Sequence, residues 1–149
     1  VSSSNHAAYY DRLCVLAAGR SDVRIVPPVP MREIATAINA YDIGLYILEP
    51  STFNERHALP NKLFEFVQAR LAVAIGPSVE MARVVREHDL GIVADSFSPA
   101  VMAETIGGLT VEQIDYYKRQ SHRAASALSS ERNLEVLDGI VEELCRDAP

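Results

Sequence analysis

The sequence predicts an α/β fold: a parallel sheet covered by helices on both faces, with a helical tail at the carboxyl end. Three observations carry this. Short apolar runs alternate with amphipathic stretches through residue 109. The runs IGLYIL (43–48) and LAVAI (71–75) are too short for buried helices and carry no internal charge, as strands buried on both faces do. From Thr110 onward the strand-like runs stop.

Taken in order, 7–18 has helical spacing and Gly19 is a plausible stop. Val23 to Val26 reads as a short strand ended by the cluster PPVP. Met31 to Ala40 reads as a helix with Pro30 at its start. Ile43 to Leu48 is a strand, and EPSTFNERHALP (49–60) a long polar loop. Asn61 to Arg70 is helical, and Leu71 to Ile75 is a strand closed by Gly76-Pro77. A helix from Ser78 to His88 takes Ser78 as its cap, and Gly91 to Ala94 is a third short strand. Ser98 caps a helix that Gly107-Gly108 breaks. Two helices follow, split near Ser129-Ser130, and the second carries a stripe of Leu134, Leu137, Val141 and Leu144. The expected division is a sheet domain over 1–109 and a helical tail over 110–149, packed on that domain or on a partner domain.

Composition narrows the function. The chain has 149 residues, 48% hydrophobic and 23% charged, as in an ordinary globular domain. Its net charge of −6 argues against a nucleic-acid partner. No apolar run approaches the roughly 18 residues of a membrane span, and the polar start VSSSNHAAYY shows no signal peptide. Cys14 and Cys145 match no metal or redox spacing and read as small hydrophobes, compatible with a cytoplasmic location. Neither GxGxxG nor a Walker-type loop nor a GxSxG elbow occurs. His6, His57, His88 and His122 have no ligand spacing, so no metal and no cofactor are expected. Tyr116-Tyr117-Lys118-Arg119 reads as a mixed helix face rather than an anion site.

In a parallel sheet, ligands bind outside the carboxyl ends of the strands. The longest loop there, from Glu49, leads into LPNKLFEF (59–66). Lys62 lies in the first turn of its helix, where the dipole already supplies about half a positive charge and a cation costs a few tenths of a kcal/mol. With Asn61 as cap, the amides of Lys62 and Leu63 are free donors for an anion, and Lys62 adds a point charge. Glu65 shares their helix face and can accept hydrogen bonds from a vicinal diol. The plain alternative is an exposed Lys62–Glu65 ion pair of at most about 0.5 kcal/mol.

The stretch VRIVPPVP…YDIGLYILEPS…LPNKLFEFVQARLAVAIG…EHDLGIV resembles the carboxyl-terminal, donor-binding half of GT-B-fold glycosyltransferases, closest to the large group 1 retaining family. The likeness covers roughly 7–109, and PNKLFEFVQARLAVAIG carries most of it. It implies a Rossmann-like sheet and a nucleotide-diphosphate-sugar donor used in polysaccharide or glycoconjugate synthesis. Glu65 would hold the ribose hydroxyls, and amides around Asn61, Lys62 and Leu63 the diphosphate. The turn after Val26 would lie near the base. The pattern departs at two places. The glutamate that touches the donor sugar in the family falls on His57 here, and nearby Glu55 is out of register, so both remain candidates for a donor-sugar loop only. Nothing matches the family's first strand and its Arg/Lys loop. The first βα unit is therefore expected to be missing, which leaves sheet edges to be covered, and the acceptor domain is expected elsewhere in a longer enzyme. This piece alone is expected to bind nucleotide and turn nothing over. No Asp-x-Asp pair is present for a metal–diphosphate complex, which fits neutralisation by helix dipole and cations. Two other classes stay open: a noncatalytic, receiver-like regulatory module, disfavoured because Asp42 precedes the 43–48 strand and only Glu49 stands at its carboxyl end, and a degenerate transferase domain kept for assembly.

Overall fold

The computed structural model describes residues 4–146, which fall into two units divided between Pro30 and Met31. The first unit holds helix α1, Ser4–Ala17. It closes with the Ala18 amide on the Cys14 carbonyl at 2.9 Å, and Gly19 takes φ of +81° just beyond. The strand expected at Val23 to Val26 is not formed. A strand exists only through a ladder with a neighbour, and no described segment pairs with these residues.

The second unit is the α/β body. A 3₁₀ turn, Met31–Glu33, runs into α2, Ile34–Ile38. Strand β1, Ile43–Tyr46, is followed by the short α3, Phe53–Arg56, and by α4, Asn61–Gln68. Then come β2, Ala72–Ile75; α5, Val79–Glu87; β3, Gly91–Val93; and α6, Pro99–Gly107. Helices α7, Val111–Ala124, and α8, Ser130–Arg146, complete it.

The three strands are parallel in the order β1-β2-β3, with Ile43 opposite Ala72 and Val73 opposite Gly91. Every residue of the central β2 is buried. Its alternate side chains serve two cores, as strand geometry requires. Val73 and Ile75 pack with Leu63 and Val67 of α4, with Met81 and Val85 of α5, and with Ala124 at the end of α7. Ala74 packs the other way, with Ala94 and Met102 of α6 and the half-buried Ile43 and Ile92. Leu63, Met81 and Leu90 are at most 1% exposed, and each such side chain contributes about 1.5–3 kcal/mol of burial. The layered Rossmann-like architecture follows directly from these two faces.

Helix α7 belongs to the body. A capping box joins Thr110 and Gln113 at its start. Near its end the fully buried Ser121 donates its hydroxyl to the Leu71 carbonyl at 2.7 Å. Gln68 donates to the Ala125 carbonyl at 2.7 Å, and Lys118 pairs with Asp42 at 2.8 Å. The Tyr116 hydroxyl donates to Asp89 at 2.5 Å, so this face is spent on structure. Arg70, at φ of 63°, makes the tight link from α4 to β2. Its guanidinium folds back onto the Val67 and Gln68 carbonyls at 3.1 and 2.8 Å. The stripe predicted on α8 is present, but every residue of α8 is exposed.

Candidate functional site at the carboxyl edge of the sheet

The chain leaves the carboxyl end of β1 through residues 47–60. This segment is not the irregular loop expected, because α3 forms within it. The cause is a capping box, Thr52-x-x-Glu55: the Glu55 amide donates to Thr52 Oγ1 at 3.1 Å, and the Thr52 amide donates to Glu55 Oε2 at 3.2 Å. Ser51 adds its hydroxyl and its amide to the same Oε2, each at 2.7 Å. These donors, the Ser51 hydroxyl first, hold the Glu55 carboxyl below the usual carboxylate range. Glu55 Oε2 is thus committed to its own loop. His57 ends α3, exposed, with its ring 4.7 Å from that of Phe53.

At α4 the cap is Pro60 rather than Asn61, which is the first helical residue. Proline has no side-chain acceptor, and its φ of −69° and ψ of 147° set the chain's entry without closing the end. The Leu63 amide is drawn back to the Pro60 carbonyl at 3.1 Å. Leu63 therefore serves the core with its side chain and the turn with its amide. Among the described residues, the amides of Asn61 and Lys62 have no protein acceptor. Lys62 Nζ lies 3.4 Å from Glu65 Oε2. The pair is asymmetric: the lysine side chain is 56% exposed and the glutamate 18%. Glu65 lies two residues from each of the core anchors Leu63 and Val67, on a different side of the eight-residue helix, and is half-buried there. The structure thus brings Asn61, Lys62 and Glu65 together at one helix end. Free amides and an ammonium supply donors for an anion, and the carboxylate supplies acceptors for hydroxyls.

Next to this end is a pocket of about 50 Å³ lined by Tyr46, Leu48, Pro50, Glu55, Ala58, Pro60, Ser78 and Met81. Glu55 and Pro60 tie it to the segment leading into α4, whereas Ser78 and Met81 come from the start of α5. Ser78 stands at the cap position, as the sequence implies, but its side chain makes no capping bond. The α3 turn has a legible signal in Thr52-x-x-Glu55; the pocket has none. Among the described residues no group of three or more His, Cys, Asp or Glu is placed to hold a metal, and no helix is long and apolar enough to cross a membrane. No family model, curated protein or solved structure matches the chain.

Proposed function

We propose that this chain is the donor-binding domain of a glycosyltransferase that moves a sugar from a nucleotide-diphosphate sugar to an acceptor, in polysaccharide or glycoconjugate synthesis in the cytoplasm. The observation that carries the reading is the sheltered Glu65 carboxylate one turn inside a helix end that holds free amides and Lys62. In this reading the Asn61 and Lys62 amides and the Lys62 ammonium hold the diphosphate. They stabilise the charge that develops on it as the bond to the sugar breaks. Glu65 accepts hydrogen bonds from the ribose diol and so positions the donor without acting as a base. On binding, Lys62 exchanges its contact with Glu65 for the phosphates, and both carboxylate oxygens turn to the ribose. The acceptor, and any group that takes its proton, belong to a second domain of the same enzyme. The two cysteines are free thiols, which suits a reducing compartment.

Titration with UDP, GDP and ADP tests this. The expected result is weak binding of a uridine or guanosine diphosphate, no turnover, and a loss of about tenfold in affinity for Glu65→Ala, the size of one hydrogen bond to a charged group. The 2′,3′-dideoxy nucleotide should bind wild type and Glu65→Ala alike. Failure of every nucleotide to bind at millimolar concentration would remove the donor site.

A further inference from the structure

The pocket beside α4 contains a polar group that the fold leaves unused. Ser78 is only 7% exposed, yet its hydroxyl has no hydrogen-bond partner among the described residues. A serine at a helix cap ordinarily accepts from the first-turn amides. Here its own amide is pulled to the Gly76 carbonyl at 2.8 Å, and the side chain makes no such bond. The hydroxyl is not sealed in, because no fully buried side-chain oxygen or nitrogen lacks a partner among the described residues. Ser78 is one of the residues that line the pocket.

The second component is the start of α5, a nine-residue helix. Its first helical bond joins the Ala82 amide to the Ser78 carbonyl at 2.8 Å. The amides of Val79, Glu80 and Met81 precede that bond and have no acceptor among the described residues. An unpartnered hydroxyl therefore lines a cavity walled by Leu48, Pro50, Ala58 and Met81, beside a helix start whose first amides are free.

Charge and size select the ligand. Glu55 lines the same cavity, and Glu80 lies in the first turn of α5. Glu80 is paired with Arg83 at 3.1 Å, but Glu55 makes this cavity less favourable for a phosphate than the end of α4, where Lys62 stands. A neutral hydroxyl has no such conflict: it accepts from an amide and donates to Ser78 or to Glu55. The volume of about 50 Å³ is a few times the roughly 10–15 Å³ that one water needs on the same measure, so it has room for a hydroxyl-bearing group.

We propose that Ser78 and the first-turn amides of α5 form a subsite for a hydroxyl-bearing edge of a neutral sugar, the transferred sugar of the donor. This rests on the donor-binding reading for the identity of the attached group, but not for the chemistry of the subsite. Ser78 is a positioning and specificity residue in it.

The test compares nucleoside diphosphates with their sugar conjugates on the full chain. UDP and GDP are titrated beside UDP-glucose, UDP-N-acetylglucosamine and GDP-mannose, into wild type, Ser78→Ala and Ser78→Thr. Ser78→Ala should bind the bare diphosphate as wild type does and lose about fivefold for the preferred conjugate, the scale of one neutral hydrogen bond. Ser78→Thr, which keeps the hydroxyl, should restore most of it. In parallel, free glucose, galactose and mannose are added while the Met81 methyl resonance is followed. A shift with one of them in wild type, absent in Ser78→Ala and not produced by inorganic phosphate, is the expected outcome. If diphosphates bind but Ser78→Ala treats conjugate and diphosphate alike and no free sugar moves Met81, the subsite is overturned while the donor reading stands. If no nucleotide binds but a sugar shifts Met81 through Ser78, the subsite stands and the donor reading falls.

Discussion

Ser121 of α7 reaches across to the residue that leads into β2 and gives its hydroxyl proton to the Leu71 carbonyl at 2.7 Å, with no surface of its own exposed. That bond helps dock α7 on the sheet, beside the Lys118–Asp42 pair and the Gln68 contact. Ser121→Ala keeps the helix and strands the carbonyl, which costs about 1–3 kcal/mol. Urea denaturation should show a lower midpoint with an unchanged slope. A midpoint equal to wild type would mean that the carbonyl finds water in its place.

Gly44 and Gly91 should respond differently to alanine. A Cβ at Gly44 would stand 2.3 Å from the Phe66 ring, and one at Gly91 would stand 1.9 Å from the Val73 carbonyl oxygen. A side chain can move and a strand ladder cannot. Gly44→Ala should therefore cost about 1–3 kcal/mol, as overpacking does, and Phe66→Leu in the same chain should recover part of it. Gly91→Ala must push β3 off β2 and should be the more damaging of the two. Thermal melts of both single variants and the double variant decide this.

Lys62 is expected to serve the ligand rather than the fold. Removing it relieves a cation at a helix start, worth a few tenths of a kcal/mol. It also removes an ion pair with Glu65 of similar size, so Lys62→Ala should melt almost as wild type does. Its affinity for a nucleoside diphosphate should fall about fivefold at low salt, with a much smaller loss for the parent nucleoside. Equal losses for both ligands would exclude a phosphate contact.

The α3 turn should be acid-sensitive. Hydrogen bonds from Ser51 and Thr52 lower the Glu55 pKa in the folded chain. A depressed acid stabilises above its unfolded value, about 4.3, and that contribution is lost as pH falls through the lower folded value. Protection of the Ser51 and Thr52 amides, relative to their intrinsic exchange rates, should fall on that acid side and, in Glu55→Gln, should be low already at neutral pH. Protection that persists in the glutamine variant would show that the charge is not what holds the turn.

Much of the architecture is legible because burial writes it into the chain. IGLY and AVAI could only be strands covered on both faces, and the spacing of Leu63 and Val67 could only be one helix side. Two kinds of feature are not. VRIV has strand composition, but a strand needs a partner, and partner choice is not local. Caps are misread because side-chain preference points one way and backbone geometry decides another. Asn61 is a better cap than proline by chemistry, yet Pro60 holds the position, and Ser78 occupies a cap without capping. At the candidate site, the proximity of Lys62 and Glu65 follows from a three-residue separation. The unused hydroxyl of Ser78 does not, since it depends on where β1, α3 and α5 converge in space.

Arg70 has a consequence that reaches beyond its turn. Its guanidinium sits on the last carbonyls of α4, so this short helix ends in one cation and begins with another, Lys62, with Glu65 between them. At 1.5 Å per residue the two tips are roughly 12 Å apart, close to the distance over which physiological salt damps a field. A visitor at the front of the rod therefore feels, faintly, a charge anchored at its back. His122, which accepts a hydrogen bond from Arg70 Nε at 3.2 Å, helps hold that charge in place.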